Sequence, residues 1–395
     1  MPHSTNLLSQ YLFTKNPFHP LFVCTILCLS ADPATGQASF STIGDLPGGI
    51  HRSEALALSG DGSTIVGTSR SDSGSQVFRW RLSEGMVPMP LHDNQFPLID
   101  SNAGVSYDGS SIIASSLAGY AVRWNEQTGY QTIPALPGYN GSFGIGISDD
   151  GNAAVGSAMG IPGEAFYWNS TDGVTGLGSL RDPHESSVSL GISGNGQVAV
   201  GWSYSTVPGL EAFRWTQNEG MVGLGDLPGG HTRSYAHAAS YDGSVIVGQG
   251  HEAAGFRAFI WSQESGMTPI GDPGLGSIAT DVSADGKVVV GTADQFGAFV
   301  WTQTMGMRSI ASILADDYGL DLQGWSLDRG IAISADGSTI IGDARKPTGE
   351  REVFIATIPV PSPGSFVCLA LGGVICTRRY RAIPSYTHAT HSNEC

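Results

Sequence analysis

Apolar and polar residues alternate along this chain in a unit that returns seven times. Each copy has a short apolar run, then Ser, any residue, Asp or Asn, and Gly, and then a β-branched run. The seven pairs that mark the copies are Asp61-Gly62, Asp108-Gly109, Asp150-Gly151, Asn195-Gly196, Asp242-Gly243, Asp285-Gly286 and Asp336-Gly337. Successive pairs lie 47, 42, 45, 47, 43 and 51 residues apart. A period in this range indicates an array of small supersecondary units.

Each unit contains four segments that are predicted to be short strands. In the fifth unit, residues 235–240 lead into Asp242-Gly243, and residues 244–248 follow. Asp-Gly between two β-prone runs predicts a tight hairpin of the primed type, in which Gly supplies a positive φ. An aromatic segment comes next, and Gly266-Met267 opens a fourth strand. Four strands in about 45 residues are typical of one blade of a β-propeller.

The aromatic segments place tryptophan at the same point of the third predicted strand in six units. These residues are Trp80, Trp124, Trp168, Trp215, Trp261 and Trp301. Phe or Val stands two residues before each of them, and residues two apart share one face of a strand. We therefore predict that the six tryptophans occupy equivalent buried positions between blades.

The two ends of the array predict how it closes. The last unit has a hairpin and a third strand that ends near Ile358, but no segment after it matches a fourth strand. Residues 40–49, before the first hairpin, match residues 221–230, the fourth strand and exit loop of the fourth unit. Pairing the two ends would remove open strand edges, which invite aggregation. The predicted fold is all-β, a seven-bladed β-propeller over residues 39–358, closed by its N- and C-terminal strands.

Composition narrows the function classes. The net charge of −16 and the acidic excess of 35 Asp and Glu over 19 Lys and Arg argue against nucleic-acid binding, which needs a basic surface. All five cysteines lie outside the repeats, so neither disulfides nor thiolate metal sites are expected in the propeller. The longest gap holds an insertion in which Ile310, Ile313 and Leu314 have helical spacing.

The first 38 residues are predicted to be a signal peptide read by the export machinery. An apolar run over residues 21–31 has a suitable length for its core, and Gly36-Gln37-Ala38 offers small residues at the cleavage site. A disordered extension and a misassigned start codon are the alternatives.

The C-terminal segment 359–381 contains a second candidate address. Val360, Pro361 and Pro363 precede an apolar run over residues 366–377, and Arg378 and Arg379 follow it. This order resembles the PEP-CTERM sorting signal of bacterial exported proteins, although Ser362 stands where that signal usually has Glu. The resemblance implies transient membrane contact and processing by an exosortase-like enzyme. The alternative is a weak membrane anchor or an apolar tail, because the run is short for a spanning helix. Residues 382–395 are predicted to be a disordered tail.

The repeats resemble the HAF family of bacterial extracellular repeat proteins. The resemblance covers residues 40–358 and lies in the Ser-x-Asp-Gly hairpins and in residues 212–215, 218–221 and 224–230. It implies a secreted repeat protein with a propeller fold, and it brings no established activity or catalytic residues.

Candidate chemistry is sparse. A calcium site is an alternative interpretation of the Asp-Gly pairs. A calcium loop needs acidic residues at alternate positions and a distal Glu, which the seven copies lack, so the turn itself explains the pairs better. His51 and His231 occupy equivalent loops, each close to an Arg and a Ser. A catalytic set should be unique to one blade, and we therefore interpret these residues as scaffold. No cofactor, metal or catalytic residue is predicted.

Two functions from different classes remain open. The first is an exported, non-enzymatic scaffold at the surface or in the matrix that presents one face of the ring to a glycan or protein. The second is a propeller-type polysaccharide lyase or glycoside hydrolase, which needs a unique group of carboxylates, His or Tyr on one face or in the channel. The least repetitive stretches, residues 90–102 and 310–329, are where such a group is expected.

Overall fold

The computed structural model describes residues 37–92, 98–182, 185–207, 209–272 and 275–359. They form seven antiparallel sheets of four strands each. The first strands of successive sheets contact one another around a ring, and the last contacts the first. The predicted seven-bladed β-propeller is confirmed. Residues 1–36 of the predicted signal peptide, residues 360–381 of the predicted sorting segment and the predicted tail over residues 382–395 lie outside the described residues.

The strands follow the order of the chain within each blade. Strand β1 is Ser39–Thr42, and the strands of blades 1 to 3 are β2 (Ser53–Leu58), β3 (Thr64–Ser71), β4 (Gly74–Arg81), β5 (Gly85–Pro88), β6 (Leu98–Val105), β7 (Ser111–Ser116), β8 (Ala121–Asn125), β9 (Gly129–Thr132), β10 (Ser142–Ile147), β11 (Ala153–Ala158), β12 (Glu164–Asn169) and β13 (Gly173–Gly176).

Blades 4 to 6 consist of β14 (Ser187–Ile192), β15 (Ala199–Tyr204), β16 (Leu210–Thr216), β17 (Gly220–Gly223), β18 (Ser234–Ala239), β19 (Val245–Glu252), β20 (Gly255–Ser262), β21 (Gly266–Pro269), β22 (Ser277–Val282), β23 (Val289–Ala293), β24 (Gly297–Thr302) and β25 (Gly306–Ser309). Blade 7 adds β26 (Ser326–Ile333), β27 (Thr339–Arg345) and β28 (Arg351–Thr357). The insertion before β26 forms a short helix, α1 (Ile310–Ser312), and a π-helical turn (Ile313–Asp317).

The N-terminal strand completes the last blade. β1 pairs antiparallel with β28, from Ser39 opposite Thr357 to Thr42 opposite Phe354. The ring of Phe40 packs on that of Phe354 with centroids 6.4 Å apart. The predicted pairing of the two ends is confirmed, and it leaves no blade in the ring with three strands.

The seven repeat turns join the first strand of each blade to the second, and their geometry differs from the prediction. A primed turn centred on Asp-Gly needs a positive φ at the Asp, whether it is of type I′ or II′. Gly243 has a φ of 70°, but among the described residues Gln323 is the one non-glycine residue with a positive φ. The turn is instead closed from the Gly243 N–H to the Ser240 carbonyl over 3.0 Å. Asp242 is its third residue, and its carboxylate accepts hydrogen bonds from the Ser240 hydroxyl and the Ser244 N–H.

The same turns link the blades to one another through their backbones. A residue in each turn donates its N–H to a carbonyl in the turn of the next blade, over 2.8–3.0 Å. The seven bonds run from Asp61 to Tyr107, Tyr107 to Asp149, Asp149 to Gly194, Asn195 to Tyr241, Tyr241 to Ala284, Ala284 to Ala335 and Ala335 to Gly60. They form a closed circle, so the repeated phrase encodes contacts between blades as well as hairpins.

The core between blades is built on phenylalanine more than on tryptophan. Fully buried phenylalanines occupy the middle of the third strand in six blades: Phe78, Phe166, Phe213, Phe259, Phe299 and Phe354. The six predicted tryptophans do occupy equivalent positions in register. Trp168, Trp215 and Trp261 are buried, whereas Trp80, Trp124 and Trp301 are only partly buried. The prediction of uniform burial was therefore wrong: the six positions are equivalent in register, but what packs over them differs from blade to blade.

Candidate functional site

The two faces of the ring carry different parts of the repeat. The turn face holds the seven repeat turns, and the loop face holds the loops that connect blades and the hairpins between second and third strands. The middle of the second strand has a Gly or Ala in every blade. The residue that follows it, nearer the loop face, varies between blades. In blade order it is Thr68, Ser115, Ser157, Trp202, Gln249, Thr292 and Asp343. Because the residue type at this position varies from blade to blade, a site that occurs once in the ring is expected here.

A continuous row of rings crosses blades 4 and 5 on the loop face. We call it the aromatic row, and in spatial order it consists of Tyr204, Trp202, Tyr235, Phe256, His251 and His231. Neighbouring ring centroids are 6.4, 6.2, 6.0, 5.2 and 5.7 Å apart along this order. Tyr204 and His231 are exposed at its two ends, and the four rings between them are partly buried. Every residue of the row is therefore at least partly open to solvent.

Polar groups border the aromatic row. The guanidinium of Arg233 lies over the rings of Tyr235 and Phe256, and its Nε donates to the Tyr235 hydroxyl over 2.8 Å. Oε1 of Gln249 and Nδ1 of His251 are buried without a hydrogen-bond partner in the described chain. Unpartnered buried polar atoms are places where an ordered water or a polar ligand completes the hydrogen bonding. The row thus combines apolar ring faces with hydrogen-bonding groups.

The loop that precedes blade 5, residues 224–233, packs against the aromatic row. Burial raises the pKa of Asp226, whose carboxylate accepts hydrogen bonds from the backbone N–H groups of Arg233 and Leu227. A Cβ on Gly230 would lie 2.0 Å from the carbonyl oxygen of His251. Glycine at position 230 therefore lets this loop press against the strand that carries His251.

The two His-Arg-Ser loops differ in their contacts, and neither forms a triad. His51 Nδ1 lies 3.1 Å from the Asp45 carboxylate, and the hydrogen bond that the imidazole donates to Asp45 raises the His51 pKa. His231 instead packs against His251. The serine that follows is structural, since Ser234 donates to the Gly225 carbonyl and accepts from the Ala212 N–H of the preceding blade.

The carboxylates closest in sequence to the aromatic row are already engaged. Asp226 accepts two backbone hydrogen bonds, and Glu252 forms an ion pair with Arg257 at 3.0 Å. Across the described ranges, no three His, Cys, Asp or Glu side chains are grouped closely enough to hold a metal ion. The same ranges contain no helix that is long and apolar enough to span a membrane.

A second singular residue lies near the axis of the ring. The first-strand residue that pairs with the residue before the recurring Gly or Ala of the second strand is small in six blades: Ala57, Gly104, Gly146, Gly191, Ala238 and Ala332. Blade 6 has Asp281 there. Its carboxylate accepts from the N–H of Val282 and from that of Ile333 in blade 7, both over 2.8–2.9 Å. Removal from water raises the Asp281 pKa to about 7.

The insertion in residues 310–329 serves packing at one end and polar contacts at the other. Ile310, Ile313 and Leu314 are buried in the core, as their helical spacing predicts. Asp328 and Arg329, at the end of the stretch, line an open cavity between blades 6 and 7. Of the other unrepetitive stretch, residues 93–97 lie outside the described chain.

Comparison with known proteins supports the fold. Protein-family profiles and curated protein sequences give no match. An oligogalacturonate lyase solved in complex with manganese aligns with a TM-score of 0.52 and 11% identity, over 82% of this chain and 97% of that chain. TolB from Acinetobacter baumannii aligns with a TM-score of 0.42 and 14% identity, over 76% of this chain and 65% of its own length. A putative TolB from Agrobacterium tumefaciens gives 0.44 and 14%, over 78% and 91%. The alignment with the lyase supports the fold alone.

Proposed function

We propose that this protein is an exported, non-enzymatic propeller that binds a glycan through the aromatic row on its loop face. The row is the observation that carries the proposal. Sugar rings present C–H groups on their faces and hydroxyls at their edges. Aromatic side chains with a polar tip match both parts, because the ring packs on the C–H face while the tip reaches a hydroxyl.

The row is better suited to a glycan than to a protein partner. Its members include two tyrosines and two histidines, and Arg233 lies against it. The core of a protein interface is instead a broad apolar patch surrounded by a polar rim. A single line of polar aromatic rings resembles the sites that hold an extended, hydroxyl-rich chain.

A binding role is favoured over glycoside hydrolysis by the state of the nearby acids. A glycoside hydrolase needs two carboxyl groups free to act on one bond. Asp226 and Glu252 are both occupied by hydrogen bonds or an ion pair. Export is supported by the apolar run at residues 21–31 and by the PEP-CTERM-like order from Val360 to Arg379, which also favours a place at the cell surface.

Binding to soluble envelope oligosaccharides, measured by calorimetry on the full chain, tests this proposal. We expect Trp202→Ala and Tyr235→Ala to weaken binding by at least about tenfold, as loss of an aromatic contact at a hot spot does. Tyr241→Ala is the matched control, since Tyr241 is an exposed tyrosine on the turn face. Equal binding by all three variants, or release of shortened or unsaturated sugars by the parent, would contradict the proposal.

A further inference from the structure

The cavity between blades 6 and 7 opens on the loop face and is lined by several charged side chains. Its volume is about 620 Å³. Its lining includes three arginines and three aspartates, namely Arg329, Arg345, Arg351, Asp294, Asp328 and Asp343. The formal charge of this lining is zero by that count, whereas the whole chain carries −16. The cavity is therefore a local region in which an anion meets less repulsion than the net charge of the protein implies.

The three arginines differ in how far their hydrogen-bonding capacity is used. Arg345 is held by Asp328, to which its Nε and Nη2 lie at 2.9 and 2.8 Å. Arg329 lies 3.2 Å from Asp343, in a contact that is not aligned as a hydrogen bond. Arg351 lies 3.6 Å from Glu54, and Glu54 already accepts a closer contact from Arg52 at 2.5 Å. In the described chain, the guanidinium groups of Arg329 and Arg351 thus donate no hydrogen bond.

Two guanidinium groups that donate no hydrogen bond line one cavity, and they define a particular kind of ligand. Each carries five N–H donors in a planar fork that matches the two oxygens of a carboxylate. Side chains of both arginines are about half exposed, 58% for Arg329 and 42% for Arg351, so a ligand can reach them. The Asp343 carboxylate lies 3.2 Å from Arg329, so a doubly charged anion bound at Arg329 would meet more repulsion from Asp343 than a singly charged one.

We propose that this cavity binds the carboxylate of a uronic acid residue, with Arg329 and Arg351 holding its two oxygens. The inference rests on the proposed glycan-binding function and adds a ligand class to it. The aromatic row lies on blades 4 and 5 and the cavity between blades 6 and 7, both on the loop face. A polysaccharide chain that contains uronic acids would present sugar faces to the first site and a carboxylate to the second.

Matched oligosaccharide pairs test the charge preference. Calorimetry on the full chain would compare glucuronate with glucose oligomers, galacturonate with galactose oligomers, and mannuronate with mannose oligomers. We expect the uronate member to bind at least about tenfold more tightly in one pair or more, as charge-assisted hydrogen bonds are stronger than neutral ones. A sulfated oligomer of the same sugar serves as a further arm, and its binding as tightly as the uronate would overturn the assignment to a carboxylate.

Variants connect that preference to the cavity. Arg351→Gln should reduce the uronate-to-neutral ratio to within about twofold, and Arg329→Lys, which keeps the charge near Asp343, should reduce it in part because lysine lacks the fork. Arg181→Gln is the control, an exposed arginine paired with Glu185 at 3.5 Å in a different loop. An unchanged ratio in Arg351→Gln, or no uronate preference in any pair, would overturn the inference. Neutral glycans that still bind in a Trp202-dependent manner would leave the glycan-binding function standing.

Discussion

The backbone N–H of Ala335 donates a hydrogen bond to the carbonyl of Gly60 over 2.8 Å and joins the last blade to the first. This bond closes the circle of seven bonds between repeat turns. On the outer side of blade 7, β1 pairs with β28 and closes the ring a second time. Backbone hydrogen bonds therefore close the propeller at two places, the circle of repeat turns and the outer edge of blade 7.

Removal of the N-terminal strand should destabilise the ring strongly. Deletion of residues 39–46 removes the β1 pairing, the Phe40 contact and the buried side chain of Leu46. We expect a loss of about 3 kcal/mol or more in the free energy of unfolding, as for removal of one large core side chain. Trimming residues 365–395 should change it little. Denaturant unfolding measures both, and equal midpoints for the two variants would show that β1 does not hold the ring closed.

The repeat glycines should differ in what they contribute to packing. Gly243 and Gly266 both have positive φ, 70° and 64°. A Cβ on Gly243 would lie 2.4 Å from Val198 of blade 4, whereas a Cβ on Gly266 would meet nothing within 4 Å. We expect Gly266→Val to cost about 1–3 kcal/mol from backbone strain, and Gly243→Val to cost more because of the added overlap. If thermal unfolding gave the same loss for both, the contact between blades would not matter.

Acid should loosen the repeat turns through their aspartates. Hydrogen bonds from the Ser244 side chain and backbone lower the pKa of Asp242. A lowered pKa in the folded state adds to the free energy of unfolding at pH values above the ordinary pKa near 3.8. That contribution is lost as the pH falls through the pKa of the folded state. Asp242→Asn should therefore reduce the loss of stability in acid.

Position 195 supplies a natural control for that variant. Asn195 makes the same contacts in blade 4, because its Oδ1 accepts from the Ser193 hydroxyl and the Gln197 N–H. Asp242→Asn should consequently be tolerated at pH 7, and Asn195→Asp should add acid sensitivity. Melting temperatures from pH 3 to pH 7 would measure both changes. Identical pH profiles for the parent and both variants would contradict this account.

Asp281 should have the opposite pH dependence. Its pKa in the folded protein is raised from 3.8 to about 7 by burial. Between about pH 4 and pH 7 the folded state keeps the Asp281 proton that the unfolded state releases. The contribution of Asp281 to the free energy of unfolding is therefore fully present below about pH 4 and is lost as the pH rises to 7. Linkage gives a slope of up to about 1.4 kcal/mol per pH unit in that window.

Asp281→Asn isolates this contribution because it removes the titration at that site. The difference in unfolding free energy between parent and variant should shrink or reverse as the pH rises from 5 to 8. Ala238→Asn, at the equivalent position in blade 5, shows the cost of a larger side chain near the axis without any titration. A parent-to-variant difference that stays constant from pH 5 to pH 8 would mean that the Asp281 carboxylate is not desolvated.

The repeat period allowed the ring to be predicted from sequence, whereas the site could not be predicted in the same way. Blade number and strand order follow from residues that recur along the units, and the pairing of β1 with β28 follows from the match of residues 40–49 to the fourth strand of unit four. Trp202, Tyr235 and Arg351 occupy positions where the units differ, and a search for recurring residues passes over them. Aligning the units on the second-strand Gly and reading the next residue would have singled out Trp202 and Asp343.

The turn type could not be predicted from the Asp-Gly pair alone. Asp-Gly fits a primed hairpin as a local sequence, but Ser240 satisfies the carboxylate of Asp242 and a neighbouring turn accepts its backbone bonds. The burial of the tryptophans likewise differs between positions that are equivalent in register, so it depends on neighbouring side chains that the aromatic pattern does not encode.

The pairing of Ser39 with Thr357 also fixes a direction. Strand β28 runs from Arg351 near the loop face to Thr357 near the turn face, and β1 runs the other way. The polypeptide therefore enters and leaves the propeller on the same side, at the outer rim of blade 7. Any attachment made through residues that follow β28 would therefore be on the turn-face side of the ring. The aromatic row and the arginine-lined cavity would then lie on the opposite side, away from the point of attachment.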